Sequence, residues 1–219
     1  MTARASNIAA FLILIAVLLS TGIWVNQLWA EKDSPTLDII VDRKPDHIEI
    51  YIQLPGEAIE SVFAGDVSQL GDTNGFVDFE GLRNGTWQHG AALFGKLKAA
   101  SAENSINLEM TSLMVHPPNR TLPFRDPIEG LVATSVCGVE VPRQHNTLAD
   151  LTANVGFYAD VTSGNDRIEL KLPSTGRKPV SVRVREFSNG QQIADLRSSL
   201  ADSGLLRIPA RSPYRATKY

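Results

Sequence analysis

Thr36 to Leu54 reads TLDIIVDRKPDHIEIYIQL, and its alternation decides the fold class. Leu37, Ile39 and Val41 alternate with Asp38, Ile40 and Asp42, and Ile48, Ile50 and Ile52 alternate with Glu49, Tyr51 and Gln53. Successive side chains of a strand point to opposite faces, so each run lays one apolar row on a single side. Arg43–His47 lies between the runs and carries Pro45-Asp46, residues that turn the chain. Pro55-Gly56 stops the second run. The segment is read as a β-hairpin whose turn is slightly longer than the tightest two-residue kind.

Beyond the hairpin the pattern loosens and then returns to period two. Gly56–Ala64 reads as a short helix and Gly71–Gly75 as a turn. Thr86–Ser101 (TWQHGAALFGKLKAAS) predicts a helix with Trp87, Ala91, Phe94 and Leu97 along one face. Ile106–His116 alternates again until Pro117-Pro118, and a Pro-bounded stretch follows with one apolar run, Gly130–Val141. From Asn154 the chain predicts strands around Phe157–Val161, Ile168–Leu172, Val180–Val184, Gln191–Leu200 and Leu205–Ile208, with Asn189-Gly190 as a hairpin turn. Strands at this spacing suggest an antiparallel β-sandwich.

The amino terminus supplies the membrane signal. Ile8 to Val25 is 18 uncharged residues, about 27 Å as a helix against a hydrocarbon core of about 30 Å. Trp24 and Trp29 stand at its far end, where amphipathic rings favour the membrane interface. Arg4 precedes the segment and Glu31, Lys32 and Asp33 follow it, so the positive-inside bias puts the amino terminus in the cytoplasm. The competing reading is a signal peptide cleaved near Gly22 or Ala30, which would release a soluble periplasmic protein. Either way the body is exported. The expected fold is therefore mainly β: a transmembrane helix within residues 1–30, then an antiparallel sandwich-like extracytoplasmic body with a short helical insertion. That body divides into a mixed region, 31–143, and an all-β region, 144–206, forming one unit or two subdomains meeting near Arg143–Thr147. A basic tail, 207–219, follows.

Composition narrows the class further. Cys137 is the single cysteine, so no intramolecular disulfide forms, which suits a bacterial periplasm and an inner-membrane location. Residues 31–206 carry 16 basic residues against all 24 acids, while 207–219 carries only Arg207, Arg211, Arg215 and Lys218. An acidic body argues against nucleic acid as a partner, because phosphate contacts need a basic face. The basic tail reads either as a solvated end or as a segment that docks on an acidic partner or anionic lipid.

Sites with chemistry are scarce. On a strand, Met110, Met114 and His116 share one face with Ser112 between them, and thioethers beside an imidazole suit Cu(I). The same face also carries Ile106 and Leu108, so the methionines read first as a continuation of a hydrophobic core, with copper as the lesser alternative. Cys137 sits in an apolar stretch, more the setting of a buried thiol than of a nucleophile. His47, His89, His116 and His145 show no ligand spacing. Asp72-Thr73-Asn74-Gly75 fails as a calcium loop, because Leu70 and Gly81 would occupy the first and last ligand positions. No GxSxG, P-loop, HExxH or dinucleotide fingerprint occurs.

The expectation from sequence is a non-catalytic accessory or interaction subunit of a membrane protein complex, with no cofactor. Its partners would be that complex at the extracytoplasmic face and the bilayer itself, through residues 8–30. A copper-handling protein using Met110, Met114 and His116 is one alternative. An enzyme whose site assembles from distant residues is another.

Overall fold

A computed structural model describes residues 35–62, 76–77, 97–101, 105–117, 122–135, 147–161, 167–173, 180–200 and 204–210. The hairpin forms as read: β1 (Thr36–Arg43) pairs antiparallel with β2 (His47–Pro55), with Asp38 opposite Gln53 and Arg43 opposite Ile48. The Lys44 amide donates to the His47 carbonyl at 2.9 Å and closes the turn. Helix α1 (Gly56–Val62) follows, then β3 (Lys98–Ala100), β4 (Ser105–Ile106), β5 (Glu109–His116) and helix α2 (Pro127–Ser135). A 3-10 turn at Leu148–Asp150 leads into β6 (Thr152–Asp160), β7 (Ile168–Lys171), β8 (Ser181–Ser188), β9 (Gln191–Ser199) and β10 (Leu205–Ile208).

The strands form two sheets, a six-stranded one ordered β5-β6-β2-β1-β8-β9 and a four-stranded one ordered β10-β7-β3-β4. Among the described strands all neighbours pair antiparallel except β1 and β8, which run parallel with Thr36 opposite Ser181. The fold is mainly β and sandwich-like, but its larger sheet is mixed rather than antiparallel throughout. Both sheets draw strands from either side of residue 143, so the body from Pro35 onward is one compact unit.

The inner face of the large sheet is the apolar row read from the sequence. Leu37, Ile39, Val41, Ile48, Ile50 and Ile52 join Val155, Phe157, Val182 and Val184 there. Against them pack Ile168, Leu170, Leu206 and Ile208 of the small sheet and Ala58, Ile59 and Val62 of α1. The hairpin strands are also buried at the centre of their outer face. Ile40 and Tyr51 form a second cluster with Phe124, Ala133 and Phe187, because Phe124 and α2 lie over the middle of the sheet. The helix expected over Thr86–Ser101 does not extend to its end: Lys98–Ala100 is a strand, paired to β7 and β4. Ala99 sits opposite Leu170 and is buried with it, so sheet packing prevails over the helical spacing at this end. The rest of that expected helix lies outside the described residues.

The β8–β9 turn confirms its sequence signal. Asn189 and Gly190 adopt φ of 51° and 75°, the left-handed pair that a type I′ hairpin turn requires and that Asn-Gly accommodates best. No helix among the described residues is long and apolar enough to cross a membrane. The apolar segment Ile8–Ala30, with Trp24 and Trp29, lies outside the described residues.

Candidate interaction surfaces

Among the described residues, the outer face of the large sheet carries several organised polar groups. Its centre is roofed by α2, which crosses β1, β2, β5 and β6. The helix starts where Asp126 accepts a hydrogen bond from the Glu129 amide at 2.9 Å, a side-chain cap for an otherwise unpaired N–H. Arg125 braces the same turn, its Nε donating to both Glu129 carboxylate oxygens at 3.1 Å. That contact holds the Glu129 carboxyl below the ordinary carboxylate range.

The amphipathicity of α2 is inverted. The residues it turns to the sheet are small, Gly130, Ala133 and Thr134. The residues it turns outward are large and apolar: Ile128, Leu131 and Val132 are 74 %, 51 % and 44 % exposed. Gly130 shows why the inward side must be small. A Cβ there would stand 2.9 Å from Cγ of the Tyr51 ring, so only glycine lets the helix lie this close. Residues 128, 131 and 132 form an i, i+3, i+4 stripe, the spacing by which a helix anchors in an apolar groove.

Charged groups flank the helix. On one side Arg185 donates to Asp38 at 3.0 Å, and Arg183 makes a two-pronged contact with Asp195, Nε to Oδ1 at 3.0 Å and Nη2 to Oδ2 at 2.6 Å. Burial raises the Asp38 carboxyl above its ordinary range, outweighing the pull of Arg185. The Arg183 hydrogen bond lowers that of Asp195. On the other side Tyr51 donates to Glu49 at 3.1 Å and Tyr158 to Asp160 at 2.8 Å, while the His47 ring stacks on Tyr158 with centroids 5.1 Å apart. Burial pushes the Tyr51 hydroxyl upward, with the Glu49 charge adding to it.

The residues proposed from sequence for copper do not share a face. A β-bulge between Met110 and Ser112 adds one residue to β5, and each added residue reverses the inside–outside alternation. Met110 therefore pairs opposite Phe157 on the inner face and packs against the main core. Met114, opposite Asn154, and His116, opposite Thr152, lie on the outer face. His116 is buried, and its Nε2–H donates to the Ala133 carbonyl of α2 at 2.9 Å. A carbonyl only accepts, so this nitrogen carries the proton and offers no lone pair to a metal. The role visible for His116 is to tie α2 to the edge strand. Among the described residues no three or more His, Cys, Asp or Glu side chains are grouped to hold a metal ion.

Of the basic residues assigned to the tail, Arg207 belongs to β10 and donates from Nε to Glu169 at 3.2 Å, so its charge is already paired within the small sheet. Arg211, Arg215 and Lys218 lie outside the described residues, as do Cys137, His89 and His145. Sequence reasoning missed α2 as a surface. Its signal was there, a helix-length apolar run opened by Asp126-Pro127, but hydropathy alone assigns such a run to the core.

No protein-family model matches this chain, and no curated protein matches it either.

Proposed function

We propose that this chain is a membrane-anchored, extracytoplasmic interaction subunit that presents α2 to an apolar groove on another component of a membrane protein complex. The observation that carries this reading is the outward stripe of Ile128, Leu131 and Val132 on a body whose other large apolar side chains are largely buried among the described residues. Solvent contact with such side chains is unfavourable, and an outward apolar stripe on a capped helix marks a surface meant to be covered. The apolar segment Ile8–Ala30 supports placing that surface at a bilayer, where confinement to one membrane raises the effective concentration of a partner. The cations of residues 211–218 would add a salt-sensitive contact to an acidic surface or anionic headgroups.

Gentle detergent extraction of full-length chain, Ile128→Asp/Leu131→Asp and a chain lacking Arg211–Tyr219 tests the reading. The full-length chain should retain a membrane protein through size exclusion. The double variant should lose it while keeping the far-UV spectrum and melting temperature of the parent, since both side chains face outward. Retention of the full-length chain should weaken as salt rises, and the tail deletion should lower retention at low salt and remove that salt dependence. A full-length chain that runs without a partner, or a double variant that keeps it, overturns the proposal.

A further inference from the structure

Strand β9 is an edge of the six-stranded sheet, with β8 as its one neighbour among the described strands. Edge strands are normally protected by proline, lysine or a bulge, because their unpaired N–H and C=O groups template another strand. Here the bulge lies at one end, between the pairs Glu186–Ala194 and Phe187–Gln192. The stretch Ala194–Ser199 (ADLRSS) is regular and carries neither proline nor lysine. Its charges are Asp195 and Arg197, both on the outer face.

Arg197 is poorly placed in the single chain. Its register partner on β8 is Arg183, a like charge directly across the ladder. Arg183 is engaged by Asp195, whose carboxylate also attracts Arg197 through space, but Arg197 closes no hydrogen bond or ion pair among the described residues. We infer that β9 pairs antiparallel with β9 of a second copy of this chain about a two-fold axis centred on Leu196, giving one continuous twelve-stranded sheet. Charge and pleat select that register. A two-fold axis perpendicular to the sheet keeps inner residues opposite inner residues, so it must pass beside a residue position. Centred on Asp195 it sets two acids face to face, and centred on Arg197 it sets two guanidinium groups together. Centred on Leu196 it puts Asp195 opposite the second copy's Arg197 and the reverse, extending the ladder of Arg183 and Asp195 by a cation from each chain. On the inner face it joins the two Leu196 side chains, each already packed against the core. The interface is isologous, as two-fold dimers require. It is also short, so the association is weak and salt-sensitive.

Cysteine scanning of the full chain in a Cys137→Ser background tests the register. Directly opposed residues have Cα atoms about 4.5–5.5 Å apart, inside the range a disulfide spans. Leu196→Cys should give a disulfide-linked dimer on mild oxidation. Asp195→Cys and Arg197→Cys should each stay monomeric alone and cross-link when mixed. A second variant separates folding from association. Arg197→Asp places a carboxylate opposite Arg183, so it should hold or raise the melting temperature while abolishing dimer in sedimentation at low salt. Disulfide dimers from Asp195→Cys alone would replace this register with another. Absence of cross-linking at 196 and in the mixed pair, or an Arg197→Asp chain that sediments as the parent does, overturns the inference. Retention of a membrane partner through α2 is read separately and does not depend on this outcome.

Discussion

Arg43 and Glu186 form an ion pair within the inner layer, 2.9 Å apart with side chains 2 % and 0 % exposed. Arg43 also donates to the Pro209 carbonyl at 3.2 Å, which ties the first strand to the chain just beyond the last. A buried pair is costly to break because the survivor keeps its charge without its counter-ion. Glu186→Leu is therefore expected to lower unfolding stability by about 3–5 kcal/mol. Arg43→Met/Glu186→Leu, which removes both charges, should recover most of that loss. Urea midpoints of the three proteins check this, and a double variant no more stable than the single one would contradict it. Neither residue was legible as a pair: Arg43 read as a turn residue, and Glu186 lies just past the Val180–Val184 run. Their meeting depends on the parallel pairing of β1 with β8. The residue-scale error at Met110 has a related cause. One extra residue at Thr111 reverses the parity of everything before it, and alternation read from sequence cannot register an insertion that the partner strand defines.

At the scale of elements, the hairpin, α1, the Asn189-Gly190 turn and the later strands were all legible, because each is set by residues close together in the chain. Lys98–Ala100 was not. Its helical spacing is genuine, yet pairing between β7 and β4 fixes it as a strand. Helix α2 was hidden for the opposite reason. Apolar residues normally mark the buried face, whereas here they mark the exposed one, and the sheet is contacted by glycine, alanine and threonine. Gly130→Ala puts this packing to the test. Alanine gains about 1 kcal/mol of helix propensity, but its Cβ would meet Tyr51 Cβ and Cγ at 3.0 and 2.9 Å, atoms close to the strand backbone that cannot swing away. Overpacking of this kind costs about 1–3 kcal/mol, so a net loss near 1 kcal/mol is expected in urea unfolding. A stabilised Gly130→Ala would mean that α2 does not rest on Tyr51.

For the whole molecule, the class was legible and the topology was not. Period-two runs and evenly spaced turns sufficed for a mainly β body. The order β5-β6-β2-β1-β8-β9 joins segments more than 130 residues apart in sequence, Thr36 with Ser181 among them, and no local signal encodes such partners. Sequence pointed to the basic tail, whereas the body itself offers α2, with Arg207 already bound to Glu169. Under the proposed function, the outward face of α2 is covered by another membrane component. Site-specific photo-crosslinking from within intact membranes addresses it most directly. A photoreactive residue is placed at Ile128 or Leu131 in the full chain, with Lys171, exposed on the small sheet, as the control position. A discrete adduct with one membrane protein is expected from 128 and 131 and none from 171. No adduct from either α2 position, or the same adducts from Lys171, would contradict it.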